Sequence, residues 1–181
     1  MSTVIRLDIV LREAVATPYR DLVTRPTGAA VRNRVITVLR DTVDDDAALD
    51  FSEVGLIDFS CADEVVAKLL VVTLGQRIPR LVLRGVQEHH ADAIDQALLR
   101  YDLVIVAVLA DGVEPSLLGA ATDDWRTAFG ALARLGRAPI RPVADALAWP
   151  VARAADALRG LESHRCVVAY PDATFATGAV A

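Results

Sequence analysis

Residues 48–72 run ALDFSEVGLIDFSCADEVVAKLLVV, an apolar strand followed directly by the start of a helix. The strand ends at Asp58. Ser60 is followed three and four positions later by Asp63 and Glu64, which form the acidic first turn that favours a helix start. The helix then has a broad apolar face, made of Val65, Val66, Leu69, Leu70 and Val72. This pattern predicts a strand-to-helix unit whose helix packs on a sheet.

The same alternation continues outward from this unit in both directions. Apolar, β-branched runs predict strands at 4–11, 80–84 and 102–108, and helical spacing predicts helices at about 31–40 and 88–101. Pro18 and residues 24–28 are expected to interrupt regular structure. Strands separated by single helices indicate right-handed crossovers, so we predict an α/β fold with a largely parallel sheet covered by helices.

Three segments of this first part resemble a known family. They are TRPTG at 24–28, LDFSEV at 49–54 and SCADE at 60–64. They are similar to the Arg-x-x-Gly, Asp-Phe-x-x-Val and Ser-Phe-Ala-Asp-Glu elements of the STAS-like DUF4325 family, which is related to the anti-sigma-factor antagonists. The resemblance covers roughly residues 1–110. It implies a STAS-like sheet and a protein partner, for which a histidine-kinase-like ATPase is the candidate.

The resemblance also assigns a role to Ser60. In STAS antagonists the helix begins Asp-Ser-Ser/Thr-Gly, and the partner kinase phosphorylates the second hydroxyl. Ser60 falls on that position, whereas Phe59 replaces the first hydroxyl and Cys61 replaces the glycine. Ser60 is therefore the candidate phospho-acceptor, and the simpler alternative is that it only caps the helix. The partner surface would consist of the neighbouring carboxylates, Asp58, Asp63 and Glu64.

The character of the sequence changes near residue 110. Small residues with glycine and proline predict a linker at 111–122 between a first domain, 1–110, and a second domain, 123–181. The second domain has three helical stripes and a terminal hairpin, and it resembles the winged-helix modules of transcription regulators. That resemblance implies an outward face on the third helix. The candidate DNA contacts are Arg153, Arg159 and, near the wing, Arg165. Winged helices also dock proteins or dimerise, so DNA contact and protein docking both stay open.

Charge and composition limit the function classes. Residues 1–123 carry 12 Lys+Arg and 19 Asp+Glu, whereas residues 124–181 carry 7 arginines and 5 acidic residues. The weak positive balance of residues 124–181 is compatible with a phosphate-binding surface.

Apolar runs of about 5–8 residues are far shorter than the roughly 20 that span a bilayer, so we expect a cytoplasmic protein with no membrane segment. Cys61 and Cys166 are predicted to be buried free thiols.

No pattern favours catalysis. His89 and His90 are adjacent, so they point in different directions on a helix and are interpreted as a solvated pair. Asp50 and Asp58 lack a nucleophile with an adjacent histidine, and no glycine-rich phosphate loop occurs. We therefore expect no catalytic residue, metal or cofactor.

Two hypotheses remain for a non-enzymatic regulatory protein. In one, the STAS-like part receives a signal and the winged helix transmits it to duplex DNA. In the other, both parts bind proteins and the chain is an adaptor in a partner-switching pathway without DNA binding. A homodimer is compatible with either.

Overall fold

The computed structural model describes residues 2–16, 18–74, 79–112 and 114–178. A five-stranded sheet with strands in chain order forms its centre. The strands are β1 (Ser2–Arg6), β2 (Asp46–Asp50), β3 (Arg80–Val86), β4 (Val104–Leu109) and β5 (Ser116–Gly119). The first four are parallel, and β5 pairs antiparallel with β4. The predicted α/β class with a largely parallel sheet is confirmed.

One face of the sheet is covered by the helices that come before β4. They are α1 (Leu7–Val15), α2 (Arg25–Asp41), α3 (Phe59–Ala62), α4 (Leu69–Thr73) and α5 (Glu88–Leu99). Between α3 and α4 lies a π-helical turn, Asp63–Lys68, hereafter the π turn. Alternate strand residues such as Leu49, Leu83 and Ile105 pack against these helices in one apolar core.

The opposite face is covered by the C-terminal part of the chain. Its helices are α6 (Asp123–Leu135), α7 (Ile140–Leu147) and α8 (Val151–Ser163). Its short strands are β6 (Ala138–Pro139), β7 (Val168–Ala169) and β8 (Thr174–Ala176), which form an antiparallel sheet in the order β6-β8-β7. The intervening strand residues, including Val82, Val104 and Val106, share a second core with Phe129 and Leu158. The predicted three helices and terminal hairpin are confirmed, and β6 is an additional strand.

The predicted strand at 4–11 is wrong beyond Arg6, because α1 begins at Leu7. Leu7, Val10 and Leu11 are buried at helical spacing, which keeps one face of this segment in the core. The Asp8 carboxylate also accepts hydrogen bonds from Arg6 and, one turn later, from Arg12. The apolar composition of residues 7–11 is compatible with a helix as well as with a strand.

Two predicted irregular segments are regular. Residues 25–28 form the first turn of α2, where Pro26 is tolerated because the amide that it lacks would have no helical partner. Residues 116–119, inside the predicted linker, are β5. Leu117 of this strand inserts into the second core, and Gly119 adopts φ +94°. The segment between the two predicted domains is therefore partly built into the sheet.

Candidate functional site

The start of α3 is organised by Asp58, not by Ser60. Asp58 Oδ1 accepts hydrogen bonds from the Cys61 amide at 2.7 Å and from the Ser60 hydroxyl at 2.8 Å. Burial acts to raise the pKa of Asp58, but the hydrogen bonds that its carboxylate accepts, led by the Thr24 and Cys61 amides, outweigh it and hold the pKa below its ordinary value. The interpretation of Ser60 as the helix cap is therefore wrong, because Asp58 has the extended backbone of a capping residue and Ser60 lies inside the helix.

A second segment, residues 20–24, holds this helix start in place. Leu22 forms a parallel bridge with Ile57, and the Thr24 amide donates to Asp58 Oδ2 at 2.9 Å. The Cys61 thiol donates to the Thr24 carbonyl at 3.0 Å. Burial and the nearby Asp58 raise the pKa of Cys61 to about 12, so this residue stays a neutral thiol and serves packing. Cys61 and Cys166 are both buried and free, as predicted.

Asp63 and Glu64 are buried, contrary to their expected exposure at a helix start. Arg25 Nη1 donates to Asp63 Oδ2 at 2.6 Å and to Glu64 Oε1 at 2.8 Å. Arg32 and Lys68 also pair with Glu64. Burial acts to raise the pKa of both carboxylates, but hydrogen bonds from Arg25, Tyr101 and Lys68 lower the pKa of Asp63 below its ordinary value. Hydrogen bonds from Lys68 and Arg25, together with the charge of Arg32, lower that of Glu64. The two charges can therefore meet a partner only through the cations that cover them.

The π turn explains how one lysine serves both carboxylates. Lys68 lies four positions after Glu64 and five after Asp63, and its Nζ is 3.3 Å from Asp63 Oδ2. A π turn bonds residues five apart, so it brings position 68 over position 63 as well as near 64. Such turns occur frequently at functional sites. Sequence reasoning did not include Lys68 or Arg32 in the site, although the Glu64-to-Lys68 spacing is a known signal for a helical ion pair.

Apolar side chains are exposed beside the charged cluster, by which we mean Arg25, Arg32, Asp63, Glu64 and Lys68. Leu56 is 57% exposed, Phe59 38% and Val23 39%, and all three lie on the two segments that meet at the helix start. Ser60, which follows Phe59 in the chain, is half-buried. We call Val23, Leu56, Phe59 and Ser60 the Ser60 surface. A recess lined by Tyr19 and Val23 continues this surface toward α1.

The close packing around Gly28 explains why residues 25–28, Arg-x-x-Gly, end in a glycine. A Cβ at this position would lie 2.9 Å from the Glu64 Cβ and 3.0 Å from the Cys61 Cα. We expect Gly28→Ala to lower the free energy of unfolding by about 1–3 kcal/mol, because α2 must move away from α3. Denaturant unfolding followed by circular dichroism measures this loss. Gly130→Ala is the control, since a Cβ there meets only the end of the Arg134 side chain at 3.8 Å; an equal loss in both variants would contradict the packing argument.

His90 is not part of a solvated pair. It is fully buried at the start of α5, its Nε2 donates to the Gly55 carbonyl at 2.8 Å, and its Nδ1 accepts from the Gln87 amide at 3.2 Å. His89 Nε2 lies 2.9 Å from the same carbonyl. Burial lowers the pKa of His90, and the neighbouring His89 lowers it further. The neutral ring is required, because a proton on Nδ1 would face the Gln87 amide.

This arrangement predicts a pH dependence of stability. Because the pKa of His90 is lower in the folded chain than its unfolded value of about 6.5, the unfolded chain binds more protons between the two values. The contribution of His90 to stability is therefore fully present above about pH 6.5 and is lost as the pH falls through the folded pKa. We expect His90→Gln to flatten the dependence of the unfolding free energy on pH between about 5 and 7.5. An equal flattening in His164→Gln would contradict this assignment.

The three predicted DNA-contacting arginines do not form one surface. Arg153 and Arg159 are exposed on α8, with Asp156 exposed between them. Arg153 donates twice to the Asp124 carboxylate, at 2.9 and 2.6 Å, and its guanidinium lies 4.1 Å above the Trp149 ring. Arg165 is half-buried and lines a cavity next to Arg80, away from that face of α8. The exposed face of α8 therefore has mixed charge.

Within the described ranges, no group of three or more histidine, cysteine or acidic side chains is arranged to hold a metal ion. In those same ranges no helix has the length and apolar character needed to cross a membrane. Comparison of the chain with protein-family models, with curated proteins and with solved structures found no match. The functional assignment therefore depends on the residues and their geometry.

Proposed function

We propose that this chain is a non-enzymatic, cytoplasmic regulatory protein whose STAS-like first part binds a protein partner through the Ser60 surface. The observation that carries the proposal is the half-buried Ser60 at the start of a helix, next in the chain to the exposed Phe59 and four residues after the exposed Leu56. Apolar side chains around a polar group are typical of the centre of a protein interface.

Phosphorylation of Ser60 would act on the helix cap. The hydroxyl donates to Asp58 Oδ1 at 2.8 Å, and a phosphate would replace this donor with a charge of about −1.5 to −2. The phosphate and the Asp58 carboxylate would repel each other, and the hydrogen bonds that Asp58 accepts from the Thr24 and Cys61 amides would be disturbed. The modification would therefore change the shape and the charge of the Ser60 surface together. A histidine-kinase-like ATPase is the proposed kinase and partner.

Ser60→Asp tests this proposal because it introduces a negative charge at the same position. We expect it to weaken the affinity for the partner about tenfold or more without unfolding the chain, and we expect Phe59→Ala to weaken the same interaction. The partner is identified by cross-linking and mass spectrometry, and its affinity is then measured by calorimetry. Thr37→Asp, on the exposed side of α2, is the matched control. Equal affinity of wild type, Ser60→Asp and Phe59→Ala for every identified partner would contradict the proposal.

Regulation of transcription through DNA is the second candidate. It is favoured by the order helix, strand, helix, helix, strand, strand in the C-terminal part, which is the order of a winged helix, with α8 as the recognition helix. The predicted contacts would be Arg153 and Arg159, but the contact of Arg153 with Asp124 must open before Arg153 can bind a phosphate.

Fluorescence anisotropy on random and genomic duplexes distinguishes the two candidates. Binding that weakens with added salt and in an Arg153→Ala/Arg159→Ala variant would support the DNA-binding regulator. Absence of salt-sensitive binding, together with an intact protein partnership, would support the adaptor without DNA binding.

A further inference from the structure

The two edges of the five-stranded sheet differ in how their backbone groups are bonded. β5 forms one edge, and its outward carbonyls have a partner, since the Arg126 guanidinium donates to the Leu117 carbonyl and, at 2.9 Å, to the Gly119 carbonyl. The Gly119 amide in turn donates to Asp95 Oδ1 at 2.7 Å. An edge whose backbone groups are bonded by side chains offers little to another strand, so this edge is closed.

β1 forms the other edge of the sheet, and its outward side is open. It pairs in parallel with β2, a pattern in which alternate residues turn their N–H and C=O groups away from the neighbouring strand. Among the described residues, none donates to or accepts from these outward backbone groups of residues 2–5. A row of unbonded donors and acceptors on an edge strand is a template for pairing with another strand.

An apolar row on one face of the sheet also ends at β1. Val4, Ala48, Val82 and Val106 are neighbours in register on β1 to β4. The last three are buried in the second core, whereas Val4 is 41% exposed, so the C-terminal helices cover the row only as far as β2. A further strand that placed an apolar side chain beside Val4 would continue the row and shield Val4 from water.

The two ends of β1 differ in charge. At the carboxyl end Arg6 and Arg12, each about half exposed, share the single buried carboxylate of Asp8, so positive charge is in excess there. At the amino end Asp44 accepts a hydrogen bond from the Thr3 hydroxyl at 2.7 Å and forms no ion pair within the described part of the chain. An antiparallel copy of β1 would place each positive end beside a negative end, whereas a parallel copy would bring like charges together.

We propose that β1 pairs antiparallel with β1 of a second copy of this chain, so that two five-stranded sheets join into one. A two-fold axis at Val4 places this residue beside its counterpart in the second copy, and it places Arg6 opposite Ser2, at the end where Asp44 lies. The charges and the apolar side chain of β1 complement a copy of themselves, which favours a second copy over a strand of another protein. The dimer does not depend on the proposed function, because it requires neither another protein nor DNA.

The strand is short, so the dimer is expected to be weak. Five residues from each copy bury less than the roughly 1,200 Å² of a stable interface, and we expect a dissociation constant of about 10–100 µM. Sedimentation velocity of the full chain between about 5 and 500 µM measures it. Val4→Lys places two like charges at the axis and should weaken dimerisation about tenfold or more. Leu99→Lys, at an exposed position at the end of α5, should leave it unchanged.

An introduced cysteine tests the register of the two strands. Residues directly opposite each other in antiparallel strands have Cα atoms about 4.5–5.5 Å apart, a separation that a disulfide spans. Val4→Cys should therefore form a disulfide-linked dimer under mild oxidation, and Leu99→Cys should not. The natural cysteines, Cys61 and Cys166, are buried and do not compete.

Three results would overturn the proposal, provided that circular dichroism confirms that each variant is folded. They are a wild type that stays monomeric up to about 500 µM, a Val4→Lys variant that dimerises as tightly as the wild type, and a Val4→Cys variant that is linked no faster than Leu99→Cys. A monomeric wild type would indicate a strand of another protein as the occupant of this edge. Concentration-dependent dimerisation that Val4→Lys weakens and Leu99→Lys does not would support the proposal.

Discussion

Glu64→Gln is expected to lower the free energy of unfolding by about 3 kcal/mol. Glu64 is buried and pairs with Arg25, Arg32 and Lys68, so its loss removes the carboxylate that Arg32 contacts and leaves Arg25 and Lys68 with that of Asp63. Removal of one partner from a buried ion cluster costs about 3–5 kcal/mol, because the remaining charges stay partly desolvated. The lower end applies here, since Arg25 and Lys68 reach solvent. Guanidinium chloride unfolding at neutral pH measures the change.

Glu53→Gln is the matched control for this experiment. Glu53 pairs with Arg20, and both side chains are largely exposed, so the loss of this pair should change stability by less than about 1 kcal/mol. A double variant, Glu64→Gln/Arg32→Met, should recover part of the stability lost in Glu64→Gln because it removes one uncompensated cation. A loss in Glu64→Gln no larger than that in Glu53→Gln would show that the cluster does not hold α2 against the π turn.

Phe129→Ala is expected to lower the free energy of unfolding by about 3–5 kcal/mol, the cost of emptying a large buried site. Phe129 lies in the second core, which the C-terminal helices share with the residues of β2, β3 and β4 that face away from α1–α5. Because this core is shared, the loss should lower the stability of the whole chain. Leu135→Ala, at an exposed position of the same helix, should cost less than about 1 kcal/mol.

Two spectroscopic signals test whether the helices on the two faces of the sheet unfold together. Both tryptophans, Trp125 and Trp149, lie in the C-terminal part, whereas far-ultraviolet circular dichroism reports on all helices. We expect the two unfolding curves to coincide in the wild type and to shift together in Phe129→Ala. A fluorescence transition at clearly lower denaturant than the circular dichroism transition would indicate that the C-terminal helices unfold as a separate domain.

Local patterns account for the parts of the fold that were predicted correctly. The alternation of apolar strands with helices of 3.6-residue period depends on near neighbours, so β3, α5 and β4 were predicted close to their observed bounds. The three helices and hairpin of the C-terminal part were found in the same way. One error, at residues 7–11, falls where a short apolar segment fits both the strand pattern and the helix pattern. Residues 7–11 are apolar enough for a strand, but only packing against α2 selects the helix.

The helix start at Ser60 was predicted in position, but the contacts that organise it were not. The acidic residues after Ser60 identified a helix start, yet the residue that caps it is Asp58, because the chain enters the helix with Asp58 in extended conformation and with Thr24 beside it. No pattern within residues 58–64 shows that Thr24 lies there, since the contact joins positions 34 residues apart.

The amino-acid order alone was enough for the α/β class, for β3, α5 and β4, for the three C-terminal helices with their hairpin, and for the location of Ser60 at a helix start, because periodicity and helix signals act over a few residues. Tertiary structure was needed for the burial of Asp63 and Glu64, for the place of β5 in the sheet and for the approach of Arg165 to Arg80. Each of these depends on contacts between segments far apart in the chain. The energy of a buried charge or an edge strand is set by whatever the fold packs against it, and local sequence does not specify that neighbour.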